Sequence, residues 1–310
     1  MLRIIARGGA MAQSASDPDA IWIDLDKPDE SEERTVEAAL SVDVPTPAER
    51  SAFEESARFY EDGEALHLTA TLLGKRDEGP FISGAVTFIL IAGKLVTVRQ
   101  ISPRAFEVGK GRASARIGSA KTGADVFIAL IEGALERLAD LLSESTKEAS
   151  KLSTGIFMTE PQPDLRESLR ELGRIGSLNA LSHESLTSLH RLLTFTRSVC
   201  KRHALDPTQL AAMERDVGEL ERIAEQLQAR ISYIQDAVLG LVDSNQTDVL
   251  KALSLATIAF VPATLIASIF GMNFEAMNWF KTAWGPWVAF GLMIAAPAAL
   301  FAIARWRRWF

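Results

Sequence analysis

The chain has 310 residues, a formal net charge of −7 and one cysteine, Cys200. That length holds roughly two domains at about 100–200 residues each. The acidic balance argues against a general nucleic-acid binder, which needs a basic stripe. A single cysteine excludes an intrachain disulfide and a cysteine-based zinc cluster.

Charge is unevenly placed. Between 252 and 304 the charged residues are Glu275 and Lys281 alone, while the preceding chain is richly charged. The two parts therefore face different surroundings, and a cysteine-poor soluble part fits a reducing cytoplasm.

In chain order, residues 1–20 are rich in Gly, Ala and Ser, lack an apolar run of signal-peptide length, and read as a flexible tail. Residues 21–125 read as a mixed α/β domain. Strand-like runs fall at 21–25 (IWIDL), 65–73, 85–91 and 95–98, with Gly93-Lys94 joining the last two as a hairpin. Helices fall at 30–40 and 48–57. From 126 to 205 strand signals stop and two long helices follow, 125–152 and 164–203, separated by Pro161 and Pro163.

Asp206-Pro207 is a helix start. From there to 270 the chain has one further proline, Pro262, and an apolar stripe at Val217, Leu220, Ile223, Leu227, Ile231, Ile234, Val238 and Leu241. Steps of three and four make this a narrow seam of coiled-coil type. Some sixty residues at 1.5 Å each give a rod of roughly 90 Å, and the seam suggests packing against copies of itself.

Residues 252–270 and 285–304 contain no charged residue. Each is about the twenty residues that cross about 30 Å of hydrocarbon. Trp279, Trp284, Trp287, Trp306 and Trp309 mark their ends as an aromatic belt would. Lys251 precedes the first run, and Arg305, Arg307 and Arg308 follow the second, so the positive-inside rule puts both termini in the cytoplasm. The intervening loop, 271–284, then faces out, and 305–310 is a basic cytoplasmic tail.

The first span carries a stripe: Leu250, Leu253, Thr257, Val261, Thr264 and Ser268 lie within roughly 60° of one line at 100° per residue. Helix–helix packing explains small residues and hydroxyls on such a face. A pore wall explains them too, provided several chains share one axis, because two spans cannot enclose a pore. Asn273 would then repeat as a ring of amide oxygens at the mouth. Mg²⁺ dehydrates reluctantly and keeps its waters, and neutral oxygens that hold the hydrated ion also let it leave.

The stretch FGMNFEAMN after a proline-containing span, the second span and the terminal RWRRWF resemble the CorA family of divalent-cation channels. The likeness extends to WIDL and ARFYEDGEALHL near the start. It implies an α/β cytoplasmic domain, long stalk helices, two C-terminal transmembrane helices and a homopentamer in the cell inner membrane. It also implies inward transport of Mg²⁺, with Co²⁺ and Ni²⁺ as further ions, no organic cofactor and no enzymatic activity. Gly271, Met272 and Asn273 would form the outer selectivity site. Leu250, Leu253, Val261 and Thr264 would face the pore, with Thr247 further in, Asp236 at the inner mouth and Glu275 charging the outer loop. Cytoplasmic Mg²⁺ would bind between protomers and hold the pore shut. Glu61, Asp62, Glu64, Asp216 and Glu219 are the acids considered for that site, with solvated surface as the plainer account of them.

The chain departs from the family pattern at Phe270, where Tyr is common, at Asn278, where Pro is common, and at Thr247, where an Asn often lines the inner pore. Two other readings stand beside this one. Zinc transporters of the same superfamily tend to carry Gly-Val-Asn at the loop, so Met272 favours the magnesium branch, and His67, His183, His190 and His203 have no tight ligand spacing. A membrane-tethered enzyme or sensor would need a catalytic motif in 20–200, where no phosphate loop, ligand cluster or nucleophile motif occurs.

Overall fold

The computed structural model describes the chain except residues 8–9, 51, 53, 76–78, 107–110, 159–163, 273–283 and 308–310 and the side chains of 111–114 and 245. It divides into two units, 1–235 and 236–310.

The first unit is built on a six-stranded sheet: β1 (Leu2–Ala6), β2 (Ala20–Asp26), β3 (Phe59–Asp62), β4 (Ala65–Lys75), β5 (Phe81–Ile91) and β6 (Lys94–Arg99), in the order β1-β2-β6-β5-β4-β3. β2 and β6 pair in parallel, and the other neighbours are antiparallel. The segment read as a flexible tail is thus partly structured. Leu2–Ala6 adds an edge strand to β2, and Ile4 and Ile5 are buried. Five residues beside a Gly-Ala run carry too little periodic signal to reveal this; the open edge of β2 supplies the missing hydrogen-bond partners.

The β5–β6 hairpin turns at Ala92-Gly93, one residue earlier than read, because Ile91 pairs with Lys94. Both turn residues have positive φ, 48° and 76°, as a type I′ turn requires. Around the sheet stand α1 (Glu30–Leu40), α2 (Pro47–Arg50), α3 (Glu55–Arg58), α4 (Gly111–Ser119), α5 (Gly123–Met158) and α6 (Leu165–Val199). Asp29 caps α1 by accepting from the Ser31 and Glu32 amides, both at 2.9 Å. The single helix read at 48–57 is two short ones. Thr46 and Glu49 bond reciprocally around the first turn, a capping box, and the helix stops at Arg50.

Alternation in β2 decides both faces. Ile23 and Leu25 join Val36, Val42 and Val44 in one core. Trp22 points the other way, edge-on to Phe106 at 6.0 Å, and Phe106 and Phe127 both pack on Phe88. On that second face Asp24, fully buried, accepts from Thr97 Oγ1, Arg99 Nε and Nη2, and Arg3 Nη2 at 2.7–3.0 Å. α5 meets β6 so closely that a Cβ on Gly123 would sit 2.2 Å from the Lys94 carbonyl carbon. Only glycine admits that approach.

α7 (Pro207–Phe270) begins in this unit and ends in the other. Its seam corrects an expectation. Val217, Leu227, Ile231 and Ile234 are buried within the one chain. α6 ties to this stretch through Asn179 Nδ2 on the Ala224 carbonyl (3.0 Å) and His190 on Glu221 (3.0 Å). The apolar stripe is therefore filled at home, and it does not by itself call for another copy. Ile223 is the member left 41% exposed.

His67 on β4 is buried, stacked 4.5 Å from Tyr60, and neither ring nitrogen has a hydrogen-bond partner among the described residues. Burial holds its pKa below the ordinary 6.5, against a weaker opposing pull from Asp62 and Asp43. The unfolded chain therefore takes up this proton first as pH falls. Stability is full above about 6.5 and declines below it toward the lower folded value. His67→Phe should keep the stack and flatten that acid limb in thermal unfolding followed from about pH 7.5 to 5. An unchanged slope would remove His67 from the account.

Candidate ion pathway

The second unit holds the end of α7 and α8 (Gly285–Trp306), two helices long and apolar enough to cross a membrane. Trp284 and Trp287 stand at one end of α8 and Trp306 at the other, all highly exposed, where bilayer interfaces would hold their amphipathic rings. α7 continues through Pro262.

Burial along α7 splits the helix into two faces. Ile258, Pro262, Ala263, Ile266 and Phe270 are half-buried, and their steps of three and four put them on one side. α8 lies on that side: Ala267, Phe270 and Gly271 share a cleft of about 350 Å³ with Gly285, Pro286, Ala289, Phe290 and Met293. The opposite side carries Leu250 (62% exposed), Leu253 (63%), Val261 (57%) and the exposed Thr257, Thr264 and Ser268. The hydroxyl stripe is therefore not the seam between the two spans of one chain. It is the face that the hairpin leaves uncovered.

The hydroxyls on that face are oriented. Thr257 Oγ1 donates to the Leu253 carbonyl at 2.9 Å and Thr264 Oγ1 to the Phe260 carbonyl at 2.8 Å. Thr247, also exposed, does the same to Asp243 at 2.9 Å. With its proton used inward, each hydroxyl turns lone pairs outward. Acceptors are what the waters around a cation seek, because those waters donate.

At the C-terminal end of α7 the Gly271 amide donates to Ala267 at 2.9 Å and the Met272 amide to Ile269 at 3.3 Å. Left-handed glycine backbone occurs at Gly63 and Gly93 and not at Gly271. Gly271 therefore does not close the helix through a left-handed conformation. A Cβ there would lie 3.2 Å from the Ala267 carbonyl oxygen, a tight contact that glycine avoids. Asn273 and Glu275 lie outside the described residues, as do Asn278, Trp279, Lys281, Arg308 and Trp309.

The acidic candidates are not brought together. Glu61 is engaged by Arg202 Nη1 at 2.7 Å and His203 Nε2 at 2.9 Å. These partners are some 140 residues away in sequence, so no local signal announces them. Asp62 and Glu64 are exposed beside the β3–β4 turn, Asp216 and Glu219 are exposed on α7, and Asp236 is exposed at the start of the second unit. Among the described residues, no group of three or more His, Cys, Asp or Glu could hold a metal ion within one chain.

Comparison with known proteins agrees with this architecture. The family model described as CorA-like Mg2+ transporter protein matches residues 17–306. The magnesium transport protein CorA of Salmonella typhimurium is 28% identical over 297 residues, covering 96% of this chain and 94% of that protein. The protein of the same name in Escherichia coli is 27% identical over 290 residues, covering 94% and 92%. The structure of the CorA magnesium transporter from Methanocaldococcus jannaschii superposes with a TM-score of 0.74 at 15% identity, covering 98% of this chain and 96% of that one. With its α/β domain, long helices and apolar C-terminal hairpin matched end to end, the chain belongs to the CorA-like Mg²⁺ transporter family.

Proposed function

We propose that the chain is a homopentameric channel that carries Mg²⁺ inward across the cell inner membrane, with both termini in the cytoplasm. Family membership makes it a divalent-cation transporter and not an enzyme. The observation that carries the finer reading is the uncovered stripe of α7, whose opposite face is taken by α8. A polar face left open in a membrane hairpin finds partners by turning inward among copies of itself.

In that arrangement Leu250, Leu253 and Val261 form apolar rings, and Thr257, Thr264 and Ser268 form hydroxyl rings. Gly271 and Met272 lead to a ring of Asn273 amides, with Glu275 drawing cations to the outer mouth. Neutral oxygens hold Mg²⁺ through its waters without trapping it. An inside-negative potential favours entry of a doubly charged ion by about 4.6 kcal/mol per 100 mV. Co²⁺ and Ni²⁺ share the charge that this selection reads.

Feedback by cytoplasmic Mg²⁺ belongs to the same proposal. Exposed Asp62, Asp216 and Glu219 are suited to a site completed by a neighbouring protomer. Glu61 would first have to leave Arg202 and His203.

The test is uptake into liposomes holding the purified chain, comparing Mg²⁺, Co²⁺, Ni²⁺ and Zn²⁺ with and without a proton gradient. Asn273→Ala should lower Mg²⁺ uptake at least about tenfold, as loss of an oriented ligand ring at the filter implies. Wild-type uptake by that variant would sink the filter assignment. Preferential, proton-dependent Zn²⁺ uptake would move the chain to the zinc branch. A mass in detergent of one or two copies would remove the ring.

A further inference from the structure

We infer that Asp243 forms a second tier of carboxylates on the cytoplasmic approach to the pore, between Asp236 and Leu250, and concentrates divalent cations there. The inference rests on the pathway reading above and adds a residue to it. Asp236, Asp243, Leu250, Thr257 and Thr264 recur at every seventh position of α7, and Gly271 continues the series one residue past its end. A seven-residue step returns to nearly the same side of a helix, drifting by only about 20°. Asp243 therefore sits about 40° from Thr257 and about 10 Å below Leu250 along the axis.

The surroundings of Asp243 agree with that placement. Its side chain is exposed. Its backbone carbonyl accepts the Thr247 hydroxyl, an interaction that leaves the carboxylate charge in place. Among the described residues the carboxylate has no ion-pair partner. Asp248 makes the contrast: its carboxylate is 3.1 Å from Lys251, and five residues along a helix put it about 140° away. One nearby acid is neutralised off the line, and the other is left charged on it.

Copied around one axis, Asp236 and Asp243 become two acidic tiers about 10 Å apart. Acidic rings select cations and raise their local concentration, an effect that salt screens. The outer amides choose the ion without charge, and the inner tiers supply the field.

The experiment uses the full chain in liposomes on a Cys200→Ala background, which makes any introduced cysteine the sole thiol. Asp243→Asn should lower Mg²⁺ uptake about threefold or more at low ionic strength and less at high salt, while Asp248→Asn should not. In Asp243→Cys, a thiol reagent bearing a sulfonate should restore uptake, and one bearing an ammonium should depress it further. This arm reads charge on a single folded variant. Unchanged uptake in Asp243→Asn, equal loss in Asp248→Asn, or the same response to both reagents overturns the assignment. Thr264→Cys with the same reagents tests the pathway itself. Block there with silence at Asp243 leaves the pore and removes the tier, and silence at both removes the pore.

Discussion

Replacing Asp24 by Ala is expected to destabilise the α/β unit by about 3–5 kcal/mol, the range for breaking a buried ion pair from one side. Asp24 is 0% exposed and Arg99 is 2% exposed. Without Asp24, the Arg99 guanidinium keeps Asp26 at 2.9 Å and the Ile101 carbonyl at 2.9 Å. Its Nε loses its acceptor. Thr97, which accepts from the Trp22 indole at 2.9 Å, loses the acceptor for its own proton. The site also bridges β2 and β6, which pair in parallel. The loss should appear as a drop of about 10 °C in the thermal unfolding of the full chain, at roughly 2–4 °C per kcal/mol. Arg34→Ala, which breaks an ion pair 77% and 87% exposed, should change stability by less than about 0.5 kcal/mol. A drop under about 1 kcal/mol for Asp24→Ala would mean that the network is no more than a solvated surface pair.

Thr264→Trp is expected to bring Mg²⁺ uptake to background, a loss of more than about tenfold, because in the proposed pore a ring of bulky apolar side chains makes a hydrophobic constriction. Thr264 lies on the uncovered side of α7, opposite the half-buried Ile266 and Pro262. In the proposed pentamer, five indoles on one axis would fill the space that five hydroxyls would otherwise border. The control is Ile294→Trp on α8, 72% exposed, where in the proposed assembly an added ring would meet lipid and uptake should persist. Transport by Thr264→Trp at the wild-type rate, with the assembled mass unchanged, would mean that this face does not line the pathway.

Much of the fold is legible because its signals are local. IWIDL, residues 85–91 and residues 95–98 are β-branched runs bounded by turn residues, and each became a strand. Asp206-Pro207 announces α7, and the structure starts the helix at Pro207. The signals fail where a partner decides. β1 and β3 (Phe59–Asp62) are four or five residues long, and they become strands because the edges of β2 and β4 are open to them. α4 contains Gly111 and Gly118 and shows little helical preference, yet it forms a helix. The pairing of Glu61 with Arg202 and His203, and the burial of His67, follow from strand order and long-range packing that no window of sequence contains.

The seam on α7 shows the same division. Its period is plain in the sequence, and a period determines only which residues share a face. What covers the face depends on which element packs there, and in this chain α6 reaches the stretch before any second copy is needed. The hydroxyl stripe has the opposite history. Packing against α8 and lining a pore both fit its spacing, and the burial of Ile258, Pro262, Ile266 and Phe270 on the other side removes the first of these.

The sequence by itself determined that charge all but vanishes from the C-terminal part, where the uncharged runs 252–270 and 285–304 begin and end, and which residues share each helical face. Those properties follow from composition and from periods of two and 3.6 residues. Only the tertiary structure decided the strand order, the partners of buried charges, and which face of α7 is taken by α8 and which is left open. Those depend on contacts between residues far apart in the chain, where the free energy of burial is settled by what lies opposite rather than by what lies next in line.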